Sequence, residues 1–282
     1  MRYGKFLPEK GTIGFVAPSF GCNIEPYRSA FINAQKIWEQ QGYGFSFGPN
    51  AYEGCGIGIS NTPQKCAEEF NDWYAKEDVD VLISCGGGEL MCEILPYIDF
   101  EKIRNSEPKW FLGYSDNTNL IFLLATLCDT AAIYGPCAAA FGMEPWHDSL
   151  KDAMGILKGN IKSVHNYEQW EKEGLKTEDN PLEPYNVTEK FQLRTWTAEK
   201  GLSIPDDISK KTDEIIQMEG RLLGGCLDCL SILCGTKFDQ VEQFNEKYKE
   251  DGILWFLESC DLNPMGIRRA LWQLDEAGWL KY

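Results

Sequence analysis

The chain has 282 residues, and its 43% hydrophobic and 25% charged content is typical of a soluble globular protein with about two domains. Its 43 acidic and 27 basic residues give a formal net charge of −16, which argues against nucleic acid or an anionic membrane surface as the main partner. The two histidines, His147 and His165, are too few for a multi-histidine metal centre and fit ordinary surface residues. We expect no metal ion and no cofactor.

The 11 cysteines are scattered singly along the chain. An odd number outside any compact framework is typical of reduced thiols in the cytosol. Residues 1–18 lack the long apolar segment and small-residue cleavage site of a signal peptide. The longest apolar stretch, residues 120–128, is far shorter than the ~20 residues that span a membrane. The sequence therefore predicts a cytoplasmic protein with no membrane partner.

The first part of the chain alternates short apolar runs with amphipathic helical patterns, as the βαβ units of a parallel sheet do. We therefore predict an α/β domain over residues 1–144. Its predicted strands are 11–17, 42–47, 79–85, 109–113 and 131–135, and its predicted helices are 26–41, 62–75 and 118–128.

Residues 145–214 contain many acids and several prolines with little clean periodicity, so we interpret them as a long connection or insertion with local structure that bridges two domains. A regular pattern resumes at residue 215, and residues 215–282 are predicted to form a second, smaller α/β domain. There, residues 219–225 lead into an apolar helix, a buried strand follows, and an amphipathic helix comes last. The predicted ranges are 226–233 for the first helix, 252–257 for the strand and 264–278 for the last helix.

The strongest local signal is the segment Gly113-Tyr-Ser-Asp-Asn117, where a predicted strand ends and a helix starts within three residues of Ser115. This arrangement is that of a nucleophile elbow, although Asn117 replaces the second glycine of the G-x-S-x-G pattern. Free N–H groups at the start of the helix would favour an oxyanion. The alternative is that Ser115 and Asp116 only cap the helix.

A triple glycine at residues 86–88 follows another predicted strand, at the edge where open α/β sheets bind ligands. It could supply an oxyanion donor, form a tight turn or bind a phosphate. The G-x-G-x-x-G spacing of a dinucleotide site is absent. Glu258 follows the predicted strand 252–257, where an acid could orient a base, cap the next helix or remain solvated. Cys226 and Cys229 form a single C-x-x-C pair in an apolar run, which indicates core thiols rather than a redox or metal site.

Three separated segments together resemble the LD-carboxypeptidase family of serine peptidases. They are Ser-Cys-Gly-Gly-Gly at 84–88 with Leu-Pro-Tyr-Ile-Asp at 95–99, Phe-Leu-Gly-Tyr-Ser-Asp at 111–116, and Glu-Gly-Arg-Leu-Leu-Gly-Gly-Cys-Leu at 219–227 with Leu-Glu at 257–258. The resemblance leans toward the microcin C self-immunity branch. The glycine segment lacks the Arg-Gly-Gly-Tyr form of the murein-recycling enzymes, and the long 160–214 insertion is of the immunity type.

The resemblance implies a flavodoxin-like N-terminal domain, a smaller α/β C-terminal domain and an active site between them. It also implies hydrolysis of a peptide or amide bond near a carboxyl terminus by a Ser-His-Glu triad. The substrate would be a small peptide, a muropeptide or a peptidyl-nucleotide, and the protein a homodimer. The implied site consists of Ser115 as nucleophile, the backbone N–H groups of Gly87 and Asp116 as the oxyanion hole, Glu258 as the acid that orients the histidine, and Gly86, Gly88 and Trp196 in contact with substrate.

One departure from the family is serious. The family's base histidine lies several dozen residues beyond the glutamate, whereas this chain ends 24 residues after Glu258. Neither His147 nor His165 matches that position. We therefore expect either a C-terminal domain that is incomplete in this chain, or a family member that binds the carboxylate of a peptide or muropeptide without cleaving it.

Overall fold

The computed structural model describes residues 1–193 and 217–282. Its central feature is a sheet of five parallel strands in the order β2-β1-β3-β4-β5. This is the order of flavodoxin-like folds, so the predicted parallel α/β fold is confirmed. The strands are β1 (Thr12–Val16), β2 (Gly44–Phe47), β3 (Val81–Ser84), β4 (Trp110–Gly113) and β5 (Ile133–Tyr134).

Helices cover both faces of this sheet because successive strand residues point to opposite sides. In β3, for example, Leu82 belongs to one buried apolar cluster, while Val81 and Ile83 belong to the other. Helix α1 contributes Phe31 and Trp38 to the second cluster, as its apolar spacing predicts. The helices of this part are α1 (Tyr27–Gln40), α2 (Pro63–Ala75), α3 (Phe100–Asn105), α4 (Thr118–Thr126) and α5 (Asp148–Leu157).

Residues 145–193 contain one helix and two strands that the sequence pattern does not predict individually. Helix α5 buries Leu150, Met154 and Leu157 in the same cluster as α1. Further along, β6 (Gln169–Glu171) pairs antiparallel with β7 (Val187–Lys190). The first part of this segment therefore contributes directly to the core through α5.

The last part of the chain forms a two-stranded parallel sheet with three helices. The predicted helix 226–233, strand 252–257 and helix 264–278 are present, whereas a strand and a helix were missed. The missed strand pairs with the predicted one so that Cys226 lies opposite Glu258. The elements are β8 (Arg221–Cys226), α6 (Leu227–Leu233), α7 (Val241–Tyr248), β9 (Ile253–Glu258) and α8 (Pro264–Glu276).

Helix α4 joins the two parts of the chain through a shared core. Its residues 118–124 are all buried, and the cluster around them includes Leu230 from α6 and Leu274 from α8. Trp279 stacks on Phe122 with ring centroids 5.1 Å apart. The second sheet is thereby held beside the carboxyl end of β4, where α4 begins.

Gly142 marks a close contact that fixes α1 on this fold. A Cβ atom there would lie 1.9 Å from the carbonyl oxygen of Ala30 in α1. We expect Gly142→Ala to lower the free energy of unfolding by about 2 kcal/mol, since the helix must shift to admit the methyl group. Urea denaturation measures the change. Gly44→Ala is the control, because a Cβ there meets its nearest atom at 3.6 Å; equal midpoints for the two variants would contradict the prediction.

Candidate active site

Ser115 lies on a sharp turn between β4 and α4, as the sequence predicts. Its φ of +62° is in the left-handed region that non-glycine residues rarely adopt. A short 3-10 turn, Ser115–Asn117, follows and runs directly into α4. The side chain is half-buried at the carboxyl edge of the sheet. A strained serine between a strand and a helix is the geometry of a nucleophile elbow.

The glycine loop after β3 lies against this elbow. A Cβ atom at Gly87 would lie 3.2 Å from both the Cβ and the Oγ of Ser115, so any side chain there would crowd the serine. Gly88 has a φ of +154°, and a Cβ at this position would lie 2.1 Å from the Oγ of Ser19. The structure therefore brings Gly87 and Ser115 together and leaves the backbone of the loop open toward the serine.

Asn117 connects the elbow to the glycine loop. Its Nδ2 donates to the carbonyl oxygen of Gly86 at 2.9 Å and to that of Tyr114 at 3.0 Å. A Cβ atom at Gly113 would lie 2.8 Å from the Cγ of Asn117, so the first glycine of the motif makes room for this side chain. The asparagine that departs from the G-x-S-x-G pattern thus connects two backbone segments of the site by hydrogen bonds.

The carboxylate of Asp116 is buried beneath the site. It accepts hydrogen bonds from the backbone N–H of Met91 at 2.8 Å, from the Nδ2 of Asn119 at 2.9 Å and from the hydroxyl of Ser19. Burial raises the pKa of Asp116, and these hydrogen bonds oppose the rise. The side chain therefore joins the loop after β1 and the turn that starts at Met91 to the base of the elbow, a role beyond capping α4.

Glu258 lies at the carboxyl end of β9, as predicted, and is exposed. It accepts a hydrogen bond from the hydroxyl of Tyr134. The same hydroxyl accepts one from the backbone N–H of Ser115 at 3.0 Å. Glu258 and the elbow are therefore connected through one side chain, which the sequence analysis did not identify.

Two segments of the chain match the two domains of one known family. Residues 13–135 match the LD-carboxypeptidase N-terminal domain, and residues 219–282 match the LD-carboxypeptidase C-terminal domain. The chain belongs to the LD-carboxypeptidase family. Both matched ranges contain candidate site residues, since Ser115 and Gly87 lie in the first range and Glu258 lies in the second.

The relatives within the family include two curated proteins. The microcin C7 self-immunity protein MccF of Escherichia coli is 23% identical over 233 residues, which cover 80% of this chain and 62% of MccF. A Vibrio cholerae protein named as a carboxypeptidase is 32% identical over 151 residues, covering 51% of this chain and 43% of that protein. In both relatives the segment matched by sequence is less than two thirds of that protein's length.

Solved structures of family members share the fold. An inactive mutant of MccF superposes with a TM-score of 0.75 at 20% identity, covering 97% of this chain and 75% of that chain. A muramoyltetrapeptide carboxypeptidase from Oxalobacter formigenes superposes with a TM-score of 0.62 at 20% identity, covering 96% of this chain and 73% of that chain. The predicted fold, a flavodoxin-like domain followed by a smaller α/β domain, is confirmed.

Neither histidine of this LD-carboxypeptidase homologue lies at the elbow. His147 caps α5, where its Nδ1 accepts from the backbone N–H of Ser149 at 3.2 Å, and its ring packs on Tyr167 and Tyr185. His165 is exposed. Within residues 1–193 and 217–282, no hydrogen bond joins either imidazole to Ser115. Trp196, the aromatic residue expected to contact substrate, lies outside the described residues.

Of the C-x-x-C pair Cys226 and Cys229, the thiol of Cys229 lies close beneath the elbow. The Sγ of Cys229 is 3.9 Å from the Oδ1 of Asp116 and 4.0 Å from the carbonyl oxygen of Ser115. A hydrogen bond between the two thiols lowers the pKa of Cys226 and raises that of Cys229. Both are free thiols, and the described part of the chain contains no cluster of three or more potential metal ligands.

No helix in the described part of the chain is long and apolar enough to cross a membrane.

Proposed function

We propose that this chain is built for serine-type hydrolysis of a peptide or amide bond next to a carboxyl terminus. One observation carries the proposal: Ser115 adopts a left-handed turn against Gly87 and is joined through Tyr134 to the carboxylate of Glu258. Nucleophile, loop and acid come from three distant segments of the sequence. Their meeting at the carboxyl ends of β3, β4 and β9 supports a catalytic site more strongly than each motif does alone.

The proposed reaction follows the acyl-transfer scheme of serine hydrolases. The Oγ of Ser115 attacks the carbonyl carbon, and the backbone N–H groups of Gly87 and Asp116 stabilise the oxyanion that forms. A base takes the hydroxyl proton and passes it to the departing amine. Water then attacks the acyl-enzyme and releases the shortened peptide. Glu258 would orient an imidazole base, as the acid of a triad does.

The two histidines of this chain do not supply such an imidazole at the elbow. Without a base, the serine hydroxyl stays protonated at neutral pH, and only residual catalysis by the oxyanion hole and by binding remains. We therefore expect slow turnover by this chain and an increase when free imidazole is added.

The proposed substrates are small peptides, muropeptides or peptidyl-nucleotides that end in a carboxylate. Structures of MccF include complexes with aspartyl sulfamoyl adenosine and glutamyl sulfamoyl guanosine, and another relative is a muramoyltetrapeptide carboxypeptidase. Gly86 and Gly88 would contact the substrate backbone, and Trp196 would stack on its nucleotide or aryl part. We further propose, on the family resemblance, a cytoplasmic homodimer.

A fluorophosphonate probe tests the assignment of Ser115. We expect labelling of the native protein, faster labelling with added imidazole, and loss of labelling in Ser115→Ala. Ser163→Ala is the matched control, because Ser163 is exposed and outside the site. Hydrolysis of a short peptide with a free carboxyl terminus should follow the same pattern. A native protein that remains unlabelled with and without imidazole would refute the proposal.

A second candidate is a non-catalytic protein that binds peptide carboxylates. The observation in its favour is that neither His147 nor His165 contacts Ser115. In that case, the N–H groups of Gly87 and Asp116 would hold the carboxylate of an intact peptide. Calorimetric binding of the peptide, together with no labelling and no hydrolysis in imidazole, would favour this candidate over the first.

A further inference from the structure

We propose that Tyr134 is a positioning residue that couples the Glu258 carboxylate to the backbone of the nucleophile elbow. No sequence motif of the site includes this tyrosine. Its effect on turnover rests on the proposed function, whereas its effect on the Ser115 backbone does not. The proposal depends on three observations: the place of Tyr134 in the sheet, the two hydrogen bonds of its hydroxyl, and the strain at Ser115.

The backbone of Tyr134 is fixed directly beside the elbow. Strand β5 pairs with β4 so that Tyr134 lies opposite Gly113, and the N–H of Gly135 donates to the carbonyl oxygen of Gly113 at 2.8 Å. The tyrosine ring packs on Phe256 of β9 with centroids 5.5 Å apart. Phe256 lies two residues before Glu258, so the ring spans the distance between the two sheets.

The two hydrogen bonds of the Tyr134 hydroxyl run in a fixed direction. The backbone N–H of Ser115 can only donate, so the hydroxyl oxygen accepts from it at 3.0 Å. An ionised carboxylate can only accept, so the single hydroxyl proton goes to Glu258. A negative charge on Glu258 polarises the hydroxyl and makes its oxygen a stronger acceptor for the serine amide.

The hydroxyl remains a neutral donor in this arrangement. Burial, followed by the hydrogen bond to Glu258, raises the pKa of Tyr134 above its usual value, so the side chain does not act as a base at neutral pH. The contribution of this hydroxyl is therefore structural. Ser115 has a φ of +62°, a conformation that persists only where the surrounding structure stabilises it. The Tyr134 hydroxyl binds the amide at that strained position.

Tyr134→Phe tests the proposal, because it keeps the ring on Phe256 and removes both hydrogen bonds. We expect amide hydrogen exchange at Ser115, measured by NMR, to become at least ~10-fold faster, since this amide loses its acceptor. We expect fluorophosphonate labelling to become ~10-fold slower. Tyr167→Phe is the matched control, because its hydroxyl also donates to a carboxylate, Asp152 at 2.6 Å, and it should change neither quantity.

A double-mutant cycle with Glu258→Ala separates coupling from simple loss of a contact. In the native background, Glu258→Ala should speed exchange at Ser115; in the Tyr134→Phe background, it should add nothing. Additive effects on exchange would overturn the proposal. The two proposals can fail independently of each other. If the two substitutions have coupled effects on amide exchange but Ser115 is not labelled, only the hydrolase proposal is refuted. If Ser115 is labelled but the effects on exchange are additive, only the role of Tyr134 is refuted.

Discussion

Asp116→Ala is expected to lower the free energy of unfolding by about 3–5 kcal/mol, because it leaves several buried donors without their acceptor. The carboxylate is 4% exposed and accepts from the Met91 N–H, the Asn119 amide and the Ser19 hydroxyl. Each donor belongs to a different segment around the elbow. We expect fluorophosphonate labelling of Ser115 to be lost as well, since the proposed oxyanion hole shares this support.

Urea denaturation and labelling of the same samples measure both effects. Asp72→Ala is the matched control, because Asp72 is exposed on α2, and its change should stay within about 0.5 kcal/mol. Asp116→Asn keeps the volume and one acceptor oxygen, so its loss of stability should fall between those of the two alanine variants. If Asp116→Ala unfolds at the same urea concentration as Asp72→Ala, the carboxylate does not support the site.

Glu69→Gln is expected to remove a pH dependence of stability. Glu69 lies on α2 at 2% exposed, and its carboxylate accepts from the backbone N–H groups of Ala17 at 2.9 Å and Asn50 at 3.0 Å. Burial outweighs these hydrogen bonds and raises its pKa to about 7. Between the unfolded pKa of about 4.5 and pH 7, the folded protein therefore holds a proton that the unfolded chain has lost.

The sign follows from this difference in bound protons. The stability contribution of protonated Glu69 is full below about pH 4.5 and is lost as the pH rises through about 7. At about 1.4 kcal/mol per pKa unit, the loss is about 3 kcal/mol. Unfolding in urea at pH 5, 6, 7 and 8 measures it as the difference between native protein and variant. The exposed neighbour Glu68 supplies the control, and a Glu68→Gln variant with the same pH profile as Glu69→Gln would contradict the prediction.

The sequence is sufficient to predict the first sheet and the elbow because their signals are local. An apolar run followed by an amphipathic helix requires no information from elsewhere in the chain, and α1 with Phe31, Ala34 and Trp38 is an example. The position of Ser115 follows from the same logic, since strand, turn and helix are adjacent in sequence. Gly87 is predicted because glycines after a strand indicate that a ligand or another part of the chain approaches the backbone closely.

The missed elements depend on contacts between distant segments. In β8, Gly224 and Gly225 have φ values of +153° and +138°. Two consecutive glycines are typical of a loop, so the sequence alone does not indicate a strand here. A Cβ at Gly224 would lie 1.8 Å from the carbonyl oxygen of Phe256, so the glycine permits the close approach of β9. The strand therefore depends on pairing with a distant segment, which local sequence does not indicate. Tyr134 has no local signal at all, because its partners Ser115 and Glu258 are far from it and from each other in sequence.

Helix α5 was missed for a different reason. Leu150, Met154 and Leu157 have the spacing of one helical face and are buried together. The prolines and acids that follow in the same region obscured this short pattern. A periodicity count over a shorter window, rather than over the whole region, would have found the helix.

The burial of α4 on all sides has a consequence for synthesis of the protein. Residues 120–124 are apolar throughout, yet Leu230, Leu274 and Trp279, which cover them, belong to the last part of the chain. Because a chain is made from its N-terminus, the first sheet leaves the ribosome with this helix uncovered. The newly made half of the protein therefore exposes this apolar helix until α6 and α8 have been made, and a pause in translation between α4 and α6 would prolong that exposure and favour aggregation.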